Sequence, residues 1–112
     1  MAALIFKICD RAEWNVAIAL GAYRGSAKDR QDGFLHFSTQ EQLPGTLQRY
    51  YAGAKDLLLV AVDANILGDA LRFERSRDGA LFPHLYCHLS LASVMWAKPI
   101  GRGTKGEFLL PF

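Results

Sequence analysis

Cysteine is scarce: Cys9 and Cys87 are the two present in 112 residues, too few for a disulfide framework. That scarcity sets the expectation of a reducing, cytoplasmic compartment. No apolar run approaches transmembrane length, so no membrane partner is expected. Neither sign of charge dominates. Thirteen Lys and Arg stand against eleven Asp and Glu, giving a net charge of +2 and a sequence pI of about 8.7. This falls short of the basic balance of a dedicated nucleic-acid-binding domain and disfavours nucleic acid as a partner. Repeats and low-complexity segments are also missing. The opening Met1-Ala2-Ala3-Leu4-Ile5-Phe6 lacks a basic start and is interrupted by Lys7 and Asp10. It reads as a first strand rather than a signal peptide.

What is present is globular. Hydrophobic residues make up 51% and charged residues 21%, and the length suits a single domain over residues 1–112. Such a chain buries about two-thirds of the surface its unfolded form exposes. Seven Phe, four Tyr and two Trp should dominate the buried area.

Hydrophobic patterning orders the elements. Leu4 to Cys9 is apolar apart from Lys7 and reads as a strand. Asp10 with Glu13 then marks a helix start, followed by Trp14, Ala17 and Ile18 at helical spacing and by Gly21 as its stop. Tyr23 to Gln31 reads as a polar loop, and a helix is expected from about Ser38 to Ala52. Leu57 to Val62, bounded by Asp56 and Asp63, has the continuous apolar character of a central, doubly covered strand. Asp63 to Asp69 is a turn or one short helical turn, and Leu71 to Arg75 a strand. Leu81 to Leu89 is open between extended chain and a bent connection. Ser93 to Ile100 forms an edge strand near Pro99, and Phe108 to Leu110 a last short one. Helices early and strands later give an α+β class with a mostly antiparallel, curved sheet.

The most informative stretch is Asp32-Gly33-Phe34-Leu35-His36-Phe37-Ser38-Thr39: a turn, a short strand, then a helix start. Alternation puts Leu35 and Phe37 on one face and Phe34, His36 and Ser38 on the other. Ser38 with Glu41, or Thr39 with Gln42, supplies a capping box. An imidazole and a hydroxyl beside free backbone N–H groups favour an anionic ligand. In Arg72-Phe73-Glu74-Arg75-Ser76-Arg77, one carboxylate stands among three guanidinium groups. Either Arg77 orients Glu74 or a phosphate through its fork geometry, or the segment is a solvated ion-pair strand. His84-Leu85-Tyr86-Cys87-His88 puts His84, Tyr86 and His88 on one face if extended. If helical, it sets the two histidines one turn apart, a metal-like spacing. No carboxylate lies near them in sequence, so a metal is disfavoured. Gly101-Arg102-Gly103-Thr104-Lys105-Gly106 spells a dinucleotide fingerprint, but too little chain follows it. It reads as a basic turn, with Arg102 or Lys105 as loose phosphate contacts. Ser26, Ser38 and Cys87 are candidate nucleophiles, none in a strained elbow.

Taken together, three blocks resemble the domain of unknown function 952 family: Asp32 to Thr39, Glu74-Arg75-Ser76-Arg77-Asp78-Gly79 and Phe82-Pro83-His84-Leu85-Tyr86. Trp14, Gly25-Ser26 and the strand end at Asp63 also fit, so the resemblance runs from about Ile5 to Ala97. It implies a fold similar to the catalytic domain of ADP-ribosyltransferases, a split antiparallel sheet with flanking helices. It also implies a cleft for NAD, as substrate rather than resident cofactor, or for another anionic, nucleotide-like ligand. His36 is then the counterpart of the strand-borne His of those enzymes, with Ser38 as a ribose or nicotinamide contact. Tyr50, Tyr51 or Tyr86 would stack the ligand, Arg77 and His84 would help hold it, and Glu74 would support the transition state. His88 departs from the family pattern. The alternative is a non-catalytic binding or protein-interaction domain whose His, Arg and Glu blocks are structural. Oligomeric state is left open.

Overall fold

A computed structural model describes residues 3–112. Two three-stranded antiparallel sheets form its frame. The first orders strands β1 (Leu4–Asp10), β4 (Leu57–Asp63) and β8 (Val94–Pro99), with β4 central. The second orders β3 (Leu35–His36), β6 (Leu81–Leu85) and β5 (Leu71–Arg75), with β6 central. Pairs β2 (Ala22–Tyr23) with β7 (Leu89–Ser90), and β9 (Gly101–Arg102) with β10 (Phe108–Leu109), complete the strands. The helices are α1 (Arg11–Leu20), α2 (Ala27–Asp32) and α3 (Leu43–Tyr50). An isolated bridge joins the two sheets. There Phe6 and Ser38 exchange backbone N–H···O bonds of 2.8 Å in each direction.

The apolar run of β4 is central because every residue from Leu57 to Val62 is buried. Leu58, Val60 and Val62 enter one core with Ile5, Cys9, Trp14, Phe37 and Leu85. Leu57, Leu59 and Ala61 enter a second with Phe6, Ile8, Leu43 and Leu47. Thus α1 covers one face and α3 the other. Leu43 and Leu47 lie one turn apart on α3, and Pro44 in its first turn suits a helix start.

Several local expectations change. The segment Tyr23 to Gln31, read as a polar loop, contains β2's end and most of α2. The Ser26 side chain accepts from the Asp29 N–H at 3.1 Å, and the Asp29 carboxylate returns a bond to the Ser26 N–H at 2.9 Å. This reciprocal capping box nucleates a helix too short to show apolar periodicity. At α1, Asp10 takes the N-cap position without a side-chain cap bond. Ile18 is exposed while Trp14 and Ala17 are buried, because α1 presents only a narrow stripe to the core. After Ser38 the Thr39–Gln42 register wins: the Thr39 N–H donates to Gln42 Oε1 at 3.0 Å. A 3₁₀ turn at Gln40–Gln42 then leads into α3. The stretch Leu81 to Leu89 combines both readings: β6 to Leu85, a bend at Tyr86 and Cys87, then the start of β7.

No helix among the described residues is long and apolar enough to cross a membrane.

Candidate functional site

Four polar or charged residues are buried among the described residues: Lys7, Asp29, Ser38 and His84. All four line one cleft of about 360 Å³ beside the bridge between the sheets. Burying polar groups is costly unless they are paired, so their gathering around one cavity is informative.

Asp29 is the hub. At 2% exposure, it accepts from Lys7 Nζ at 2.8 and 3.0 Å and from the Ser26 N–H at 2.9 Å. It also accepts from the His36 N–H at 3.1 Å and from His36 Nδ1 at 2.5 Å. Burial alone would raise its carboxyl. The His36 hydrogen bond and the Lys7 charge outweigh that and hold it well below the usual carboxylate range. Gly25 makes the close approach possible. Its φ is +106°, and a Cβ there would meet Asp29 Cβ and Leu35 Cδ2 at 2.8 Å.

His36 is held from both sides, since its Nε2 lies 2.9 Å from Asp32 Oδ2. Both ring nitrogens therefore face carboxylate oxygens, which accept only. Lys28 Nζ donates to the same Asp32 oxygen at 3.1 Å. That bond, then the Lys28 charge and His36, keep Asp32's carboxyl low.

Around β3, Leu35 and Phe37 join the core while Phe34, His36 and Ser38 line the cleft, as the alternation predicts, and buried Phe37 also borders the cleft. Ser38 Oγ lies 3.2 Å from Thr46 Oγ1. Opposite, β3 and β6 pair His36 with His84. Phe34 stacks on His84 with ring centroids 4.1 Å apart. His84 Nδ1 is 2.9 Å from Glu74 Oε1, which also accepts from the Tyr86 hydroxyl at 2.6 Å. The Tyr86 bond first, and His84 second, lower Glu74's carboxyl below its ordinary value.

Of the residues singled out from sequence, His36, Ser38 and His84 therefore meet in the cleft, together with Tyr50 and Tyr51. Glu74 and Tyr86 stand behind His84, outside the lining. Arg77 opens a tight turn after β5, and its side chain lies outside the described residues. Among the described side chains, His84 and Tyr86 orient Glu74. With extended backbone at β6, the helical metal spacing of His84 and His88 does not arise. Arg102 is not a loose phosphate contact: it donates to the carbonyls of Ala52, Ala54 and Gly106. Sequence reasoning missed Lys7, Asp29 and Asp32. The signals for two of them were a single charge inside an apolar strand and the Ser26-x-x-Asp29 box.

A family model described as "Protein of unknown function (DUF952)" matches residues 8–97. The chain belongs to the DUF952 family. All four buried polar residues except Lys7 fall inside the matched span, as does His36. This DUF952 chain is similar to protein CC0527 from Caulobacter crescentus. The crystal structure of that protein has a TM-score of 0.89 at 43% identity, covering 94% of this chain and 92% of that one. The crystal structure of a CC0527 double mutant gives 0.89 at 42% identity over 94% and 92%. Its solution structure gives 0.84 at 43% over 94% and 90%. No curated protein matches.

Proposed function

We propose that this DUF952 protein binds a small anionic, nucleotide-like ligand of the NAD or ADP-ribose kind in the cleft at His36. The observation that carries the reading is the convergence of Lys7, Asp29, Ser38 and His84, all buried, on that one cavity. A structural network would not need to line an open cleft. Aromatic rings of Phe34, Phe82, Tyr50 and Tyr51 share its walls and suit a planar base, while the Lys28 ammonium and the His36 ring suit an anionic group. The volume is at the small end of the ~300–1,000 Å³ typical of small-molecule sites, so the cleft takes one end of a dinucleotide. The strand-borne His36 beside a junction of two antiparallel sheets agrees with the ADP-ribosyltransferase-like architecture that the family resemblance implies.

Transfer of ADP-ribose demands more. Breaking the nicotinamide–ribose bond develops positive charge, which a carboxylate facing the ribose must stabilise. Asp29 spends its oxygens on Lys7, Ser26 and His36. Glu74 reaches the cleft only through His84. This distribution of carboxylates favours binding over transfer, with Glu74 as a positioning residue for His84.

A thermal-shift series with NAD, ADP-ribose, nicotinamide and AMP tests the reading. Ligand at about a hundredfold its Kd adds roughly 2.7 kcal/mol, several degrees in a domain of this size. The shift should vanish in Ser38→Ala or His36→Ala protein whose own fold is verified by circular dichroism. No shift with any of the four would refute nucleotide binding. Nicotinamide release on prolonged incubation, lost in Glu74→Gln, would establish transfer instead.

A further inference from the structure

The two carboxylates on His36 are built differently. Asp29 is buried and bonded to backbone as well as side chains. Asp32 is the last residue of α2, its side chain is 31% exposed, and it is held by two side chains, Lys28 and His36, at the cleft mouth. One Asp32 oxygen, Oδ2, sits between two nitrogens, Lys28 Nζ at 3.1 Å and His36 Nε2 at 2.9 Å. Lys28 is itself 62% exposed. An oxygen of a bound phosphate or carboxylate would take the same two donors at the same distances. Exposed pairs of this kind are weak and exchange readily. Once Asp32 turns outward, Lys28 Nζ and His36 Nε2 lose their shared acceptor at the cleft mouth, while Asp29 stays on His36 Nδ1 and on Lys7.

We infer that Asp32 is an internal stand-in for the ligand's anionic group. It occupies the Lys28–His36 subsite until a phosphate or carboxylate displaces it. The inference deepens the cleft reading above and rests on it. It makes the empty protein self-blocked: apparent affinity is reduced by the fraction of molecules in which Asp32 holds the subsite.

The test is titration of wild type, Asp32→Ala, Asp32→Ala with Lys28→Ala, and Asp69→Ala with ADP-ribose, inorganic phosphate and acetate. Binding is followed by calorimetry and by ³¹P resonances. Asp69 is exposed on a turn away from the cleft lining, so its variant controls for lost negative charge. Asp32→Ala should tighten ADP-ribose about fivefold, the scale of competition from exposed ion pairs. Asp69→Ala should change it by less than about 1.5-fold, and adding Lys28→Ala should cancel the gain. Phosphate tightening more than acetate assigns a phosphate to the subsite; the reverse assigns a carboxylate. ADP-ribose bound equally by wild type and Asp32→Ala, or tightened equally by Asp69→Ala, overturns the inference and leaves the cleft reading intact. No binding of any probe to either protein overturns both.

Discussion

Replacing Asp29 with Asn should be the most damaging polar substitution in the protein. Asp29 and Lys7 are 2% and 4% exposed and 2.8 Å apart. Asparagine keeps one acceptor oxygen, but its amide N–H groups point at donors. Lys7 is then buried without a counter-charge. Removing one partner of a buried pair costs about 3–5 kcal/mol, and at about 4 °C per kcal/mol for a domain of this size the melting point falls by roughly 12–20 °C. Adding Lys7→Met to Asp29→Asn should recover part of the loss, because the uncompensated charge is removed. The pH dependence follows with a definite sign. Asp29's folded carboxyl lies below its unfolded value, so the native state binds fewer protons. Its stabilisation is complete above the unfolded pKa, about 3.9, and is lost as pH falls toward the lower folded value. Wild type should therefore lose stability below about pH 4 more steeply than Asp29→Asn. Urea denaturation across pH 2–7 measures both effects. A cost under about 1 kcal/mol at pH 7, or parallel acid profiles, would refute the description of Asp29 as a buried, paired hub.

Other consequences can be checked singly. Gly25→Ala combines a φ of +106° with two 2.8 Å contacts and should cost at least about 2 kcal/mol in denaturant melts. Leu47→Ala, fully buried in the core under α3, should cost about 2–5 kcal/mol and leave ligand binding at the cleft unchanged. Burial pushes the Cys9 thiol up to about 12, whereas Cys87 is exposed. A thiol reagent at pH 8 should label Cys87 quickly and Cys9 only on unfolding.

Much of the fold was legible because strand signals here are clean. The six apolar residues of β4 are all buried, and the alternation around β3 puts Leu35 in the core and Phe34, His36 and Ser38 at the cleft. What escaped was set by contacts distant in sequence or by elements too short for periodicity. Helix α2 has six residues, and its only local announcement is the Ser26–Asp29 box. Glu74's partners His84 and Tyr86 lie on β6 and just past its end, ten and twelve residues on, too far along the chain for a local reading to find. Lys7 looked like an interruption in β1. Its partner lies 22 residues away, and only the sheet junction brings the two together. His36 was identified by type and face, while the two carboxylates that hold its ring, Asp29 and Asp32, were invisible without α2.

The central claim is that the cleft at His36 is the ligand site. The most direct measurement is a two-dimensional ¹H–¹⁵N titration of the wild-type protein with ADP-ribose. The account predicts shifts confined to Lys7 and residues 26–38, 46–51 and 82–84, with the β9–β10 hairpin unmoved. An unchanged spectrum, or shifts centred on that hairpin, would contradict it.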